Sequence, residues 1–141
     1  MTTQPADRLV VETTLRVRYA ETDAMAVVYH TNYLVWFEVG RGEYSRSIDA
    51  DYRQWEEQGL FLPVVELSCR YLSPARYGDL VVVATWVDQV RSRGLTFGYE
   101  ARLHDNGRVL VTGRTTHVCV DRSGRVLQIP AQWREAMSRR Q

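Results

Sequence analysis

The chain has 141 residues, a formal net charge of +1 and an apolar share of 45%. That length fits one domain, residues 1–141, with a sizeable core, and the near-balanced charge excludes the strong electrostatic pull of nucleic-acid or membrane-surface binders. There is neither an apolar N-terminal segment nor a run of about eighteen apolar residues, so neither a signal peptide nor a membrane span is expected, and the expected location is cytoplasmic.

In chain order, residues 1–8 are polar, carry Pro5 and predict a loose leader. From Val11 the sequence alternates: Val11, Thr13, Leu15, Val17 and Tyr19 fall on one face, Glu12, Thr14, Arg16 and Arg18 on the other. This is the pattern of a half-buried strand with one wet face. Thr22, Asp23 and Asn32 are capping-type residues, which predicts a short turn ahead of the next helix. In that helix Tyr33, Phe37, Gly40, Tyr44 and Ile48 recur at steps of three and four, while Leu34, Trp36 and Val39 widen the apolar surface. The helix is therefore expected to be surrounded by protein and to end near Ile48. Residues 52–58 predict a short second helix, with Gly59 as terminator.

Beyond Pro63 the chain turns to strands. Val65, Leu67, Cys69 and Tyr71 alternate with polar residues, Gly78-Asp79 opens a β-branched run from Leu80 to Val90, and Arg91-Ser92-Arg93-Gly94 makes a basic turn. Leu95, Phe97, Tyr99, Ala101 and Leu103 form the next alternating set, and Asn106-Gly107 is a hairpin signal leading into a return strand from Val109 to Asp121. Residues 130–141 predict a terminal helix through Met137 with Arg139 and Arg140 in a solvated tail. Cys69 and Cys119 both fall in predicted strands without metal or redox spacing. They read as buried, reduced thiols, and neither a metal nor a cofactor is expected. Strands segregated from helices indicate an α+β fold in which an antiparallel sheet of about five strands curls round the long central helix.

The chemistry concentrates where the first strand gives way to the long helix. Tyr19, Asp23 and His30 can move or orient protons, and the N-terminus of a buried helix supplies N–H donors and a favourable dipole. Asp23 is expected just ahead of that terminus, where it serves either as a catalytic carboxylate or as a helix cap. His30 orients a reacting group or bonds to backbone, and Tyr19 is equally well a core tyrosine. Glu38, Arg41 and Glu43 lie within a helical turn of one another and read as structural ion pairs.

The run Y-A-E-T-D-A-M-A-V-V-Y-H-T-N-Y followed by W-F-E-V-G-R-G-E resembles the hotdog-fold acyl-CoA thioesterases of the 4-hydroxybenzoyl-CoA thioesterase type, and most closely their YbgC-like branch. P-V-V-E-L-S-C-R-Y-L-S-P-A-R-Y-G-D-L, the Asn106-Gly107 hairpin and the ending Q-I-P fit as well, so the resemblance covers residues 15–130. It implies a hotdog fold and a hydrolase that splits an acyl-CoA thioester into a carboxylic acid and CoA. Asp23 would be the nucleophile or general base, Tyr19 and His30 its partners, and N–H groups at the helix start the oxyanion donors. It implies a homodimer, often paired into a homotetramer, with acyl-CoA along the subunit interface. Ala26, Val27, Tyr33 and Phe37 would then face the acyl group, and Arg91 and Arg93 the CoA phosphates. For Tyr33, Trp36 and Phe37 a core role is the plainer reading of aromatic residues at helical spacing, and for the two arginines a solvated turn. The family commonly has glycine where this chain has Ala26, so the added methyl is expected to narrow the acyl site. Two other readings stay open: a hotdog protein that binds acyl-CoA or an acyl carrier without turnover, and a hotdog hydratase or dehydratase.

Overall fold

In a computed structural model, which describes residues 4–138, one antiparallel sheet carries all five strands in the order β1-β3-β4-β5-β2. The strands are β1 (Val10–Arg16), β2 (Val64–Tyr71), β3 (Leu80–Val90), β4 (Gly94–Leu103) and β5 (Val109–Val118). The helices are α1 (Asn32–Ser47), α2 (Tyr52–Glu57) and α3 (Ala131–Met137). The β3–β4 and β4–β5 pairs follow from the two tight connections read in the sequence, and β1 and β2 then take the two edges. The sheet wrapped against one long helix is the hotdog arrangement.

α1 lies over β3 and reaches β1 and β4. It comes so close that a Cβ on Gly40 would sit 2.3 Å from Thr85 Oγ1 and 3.0 Å from Val83 Cγ1, so only a glycine lets the helix settle at this height. Tyr33, Trp36, Phe37 and Tyr44 fill the space between helix and sheet. Val35 and Val39 do not: they are exposed on the far side of α1, so within one chain the helix is covered on one face rather than surrounded. The ion pairs expected among Glu38, Arg41 and Glu43 are not found among the described residues; Glu43 pairs instead with Arg46 at 2.7 Å. Asp51 caps α2 through Arg53 N, and Gly59, at φ +72°, ends it in the left-handed region as expected.

The sequence reading needs correction where β1 and β5 end. β1 stops at Arg16, so Tyr19 is not in its inward set but in a 3-10 turn, Tyr19–Glu21, and is 77% exposed. In the leader, Gln4 Nε2 donates to Glu100 Oε1 and Arg8 Nη1 to Val87 O, while residues 1–3 lie outside the described residues. β5 is shorter than predicted and Cys119 falls just past it; Cys119 is buried and Cys69 partly so, both free thiols. Arg139 and Arg140 lie outside the described residues. No described helix is long and apolar enough to cross a membrane.

Candidate active site

The segment between β1 and α1 folds back on itself. Val17 N donates to Asp79 O at the sheet end, the 3-10 turn follows, and residues 22–28 close a miniature hairpin through a Thr22–Val28 bridge and Asp23 N donating to Val27 O (2.9 Å). Asp23 Oδ1 accepts Met25 N at 2.8 Å, the local turn that an Asp side chain favours. Asp23 therefore caps its own turn and not α1, whose N-cap position is Thr31 and carries no side-chain cap bond. The hairpin takes up the interval that the sequence suggested was a short link, which leaves Asp23 well ahead of the helix rather than directly before it. Asn32 opens α1, and its side-chain amide donates back to Glu21 O.

The fold nevertheless gathers Asp23, Val27, His30 and Tyr33 on one open cleft of about 400 Å³, joined by Tyr71, Leu72 and Pro74. Tyr71 was not singled out in the sequence. Its hydroxyl donates to His30 O at 2.7 Å, and its ring meets His30 edge-on at a centroid distance of 6.2 Å. The signal was its place at the end of the apolar alternating set of β2, beside Ser73-Pro74. Burial pushes the Tyr71 hydroxyl up to about 12, so it stays a neutral donor. Tyr33 is buried; its hydroxyl accepts Ala75 N at 3.1 Å, and burial raises its pKa too. Ahead of α1, the N–H groups of His30 and Thr31 have no protein acceptor among the described residues. The cleft thus joins a carboxylate and an imidazole, with two open amides in the adjoining residues 30–31, near the positive end of a sixteen-residue helix.

Three expected site residues lie elsewhere. Tyr19 meets Tyr77 edge-on at 5.8 Å and does not line the cleft. Phe37 is fully buried and stacks on Tyr99 at 4.4 Å, a core position. Ala26 is exposed and also off the cleft wall, with φ +64°, which suits glycine rather than alanine. Ala26→Gly should therefore stabilise the protein by a net of about 0.5–1 kcal/mol, since relief of left-handed strain outweighs the added unfolded-state entropy. A thermal melt that rises by a few degrees, with the preference between straight and branched substrates unchanged, is the expected result; a lower melting temperature would refute it.

Arg91 lines a separate groove of about 540 Å³ between the β3–β4 turn and α3, together with Ser92, Arg134, Glu135 and Ser138, while its guanidinium donates to Gln89 Oε1 and Thr96 Oγ1. The Arg134 Nε is buried there without a partner among the described residues. Arg93 is exposed outside that groove. No local pattern singled out Arg134, because it is the packing of α3 against the turn that places it on the same groove as Arg91.

Residues 17–139 match the family model of the thioesterase-like superfamily. The YneP protein of Bacillus subtilis (strain 168) is 37% identical over 122 residues, covering 86% of each chain. The acyl-CoA thioesterase YbgC of Haemophilus influenzae is 39% identical over 108 residues, 76% of this chain and 78% of that one. Among solved structures, the DHNA-CoA thioesterase of Staphylococcus aureus superposes with a TM-score of 0.86 at 33% identity, covering 92% of this chain and 89% of its own.

Proposed function

The chain belongs to the thioesterase-like superfamily, and from that premise we propose that it hydrolyses acyl-CoA thioesters to a carboxylic acid and CoA. The observation that carries the reading is the cleft that Asp23 and His30 both line, next to the unpartnered amides of His30 and Thr31 just ahead of α1. A thioester carbonyl seated there points its oxygen at the His30 and Thr31 N–H groups, which stabilise the oxyanion as the carbonyl carbon becomes tetrahedral. One Asp23 oxygen is held by Met25 N, and we assign the other to the reaction. Two routes share this geometry. In the first, the carboxylate adds to the carbonyl carbon, the C–S bond breaks to release the CoA thiolate, and water opens the mixed anhydride. In the second, it takes a proton from a water that adds directly. In the first route water adds at the Asp23 carboxyl carbon of the anhydride, so an Asp23 oxygen leaves with the acid and the water oxygen stays on Asp23. In the second the water oxygen enters the acid directly, and in both a proton ends on the sulfur. His30 serves the carbonyl or the departing thiolate. The hydratase reading needs a proton transfer beside an intact thioester, and the cleft offers no donor set that favours it over hydrolysis.

The site is completed by a second copy of the chain. β2 is an edge strand with Val64, Val65, Leu67 and Tyr71 all exposed, a row of open backbone groups that proteins seldom leave uncovered. Antiparallel pairing of two β2 strands about a two-fold axis covers it. Within one chain the Arg91 groove lies at the far end of β3 from the cleft, about 35 Å away along its 11 residues, farther than a pantetheine arm and diphosphate extend. The two-fold sets the Tyr71 end of one β2 beside the Val64 end of the other, which brings the partner subunit's Arg91 and the partner subunit's Arg134 toward this chain's Asp23. A pair of such dimers would make the tetramer.

The test is thiol release from a panel of aliphatic and aromatic acyl-CoAs, on the wild type and on Arg91→Ala/Arg134→Ala. Turnover by the wild type is expected, and the double variant should raise KM about ten-fold or more with kcat little changed, because phosphate contacts are shared by ground and transition states. Mixing that variant with Asp23→Asn should restore low-KM activity, since each mixed dimer carries one intact site. Absence of thiol release across the panel would overturn the function. A mixture no better than its parts would overturn the shared site.

A further inference from the structure

We propose that Glu21 is the positioning residue that holds Asp23 and His30 in register. The proposal rests on the thioesterase reading for its catalytic readout only. Glu21 is 4% exposed, and a carboxylate rarely goes so deep without partners. Its side chain accepts Arg18 N at Oε1 (2.8 Å) and Trp36 Nε1 at Oε2 (2.8 Å), which pins the 3-10 turn to the second turn of α1. Its backbone carbonyl accepts Tyr29 N (2.8 Å) and the Asn32 side-chain amide (2.8 Å). The two ends of the 22–28 hairpin therefore hang from one residue: Asp23 follows Glu21 by two positions, and His30 follows Tyr29, which is bonded to its carbonyl. Among the described residues, two further backbone bonds tie the hairpin to its surroundings, Thr22 N to Tyr19 O (3.1 Å) and Val28 N to Ala75 O (2.9 Å). Glu21 does not line the cleft, so it acts through the residues that do.

The side chain is specific to this task. Two N–H donors converge on it, and a carboxylate accepts both, whereas an amide has one acceptor oxygen and turns its NH2 toward the second donor. Glu21→Gln keeps the shape and breaks one of the two ties. Trp36→Phe removes the donor from the other side. Because both changes cut the same link, the double variant Glu21→Gln/Trp36→Phe should be no worse than Glu21→Gln alone, with the opposed donors gone.

The experiment measures thiol release and amide hydrogen exchange on all three variants, at a temperature where each remains folded. Glu21→Gln should lower kcat about ten-fold or more with KM within about two-fold, since a shift near 1 Å in a reacting group is costly to the chemical step. Exchange should rise in residues 22–31 while the sheet and the rest of α1 stay protected. A merely structural role would lower the melting temperature and leave kcat per folded molecule intact, and that result overturns the proposal. So does exchange that rises over the whole molecule, or losses in the double variant that multiply. If Glu21→Gln does not fold, Trp36→Phe alone carries the same expectations. Should the wild type release no thiol from any acyl-CoA, the thioesterase reading falls, and the exchange data still decide whether Glu21 holds the loop.

Discussion

Asp23→Asn should lower thiol release by at least about a hundred-fold while leaving the fold and CoA affinity in place. The amide keeps an acceptor oxygen for Met25 N, so the turn that presents the side chain survives. What disappears is the basic, nucleophilic oxygen, and removal of a group that acts on the reacting atoms in the transition state falls on kcat rather than KM. Single-turnover hydrolysis by the wild type in heavy-oxygen water separates the two routes: label entering the Asp23 carboxylate marks the anhydride, and label confined to the product acid marks the activated water. An Asp23→Asn protein with near-normal turnover on its best substrate would remove Asp23 from the chemistry.

The second large effect concerns stability in acid and comes from a histidine that the sequence left without a partner. His117 is 2% exposed on the inner face of β5. Its Nδ1 donates to Leu62 O at 2.9 Å, which leaves Nε2 to accept from Thr115 Oγ1 at 2.8 Å, and Thr115 in turn meets the Tyr99 hydroxyl at 2.6 Å. Burial above all, with the nearby Arg41 charge adding to it against the Leu62 carbonyl, brings the imidazole from 6.5 down to about 4. The fold thus keeps His117 neutral, and the unfolded chain binds its proton more readily. Stability is full above about pH 6.5 and is lost as pH falls toward about 4. By pH 4.5 the loss should reach roughly 2–3 kcal/mol. Asp51 and Asp121, whose carboxylates are held low mainly by hydrogen bonds from Arg53 N and from Ser123, act only at lower pH. Urea unfolding at one protein concentration, at pH 7 and pH 4.5, measures the effect, and His117→Gln should flatten the difference. Equal wild-type midpoints at the two pH values would refute it.

The sequence by itself determined the order of elements, the hairpins, the end of α1 and the residue set from which the cleft is drawn. These rest on local rules: alternation at period two, a helical period with Gly40 among its inward positions, and turn residues that admit few backbone paths. The Asp23-to-His30 segment was legible as a polar link before a helix, and its resemblance to a thioesterase motif held at the level of family and fold. What the local pattern could not carry was the return of that link on itself. Asp23 spends one oxygen on its own turn, so the hairpin pushes it away from the helix end, and Glu21, a glutamate with no distinguishing neighbours in sequence, becomes the residue on which both ends hang. Alternation also continued past Arg16 on paper, yet the chain leaves the sheet there to bond Asp79, which carries Tyr19 out to solvent. Tyr71, Arg134 and the burial of His117 were likewise decided by packing between elements far apart in the chain. Tertiary structure chose among these because each depends on what a distant segment offers as a hydrogen-bond acceptor or as cover from water, and that is a property of the assembled sheet and helix rather than of any stretch of sequence.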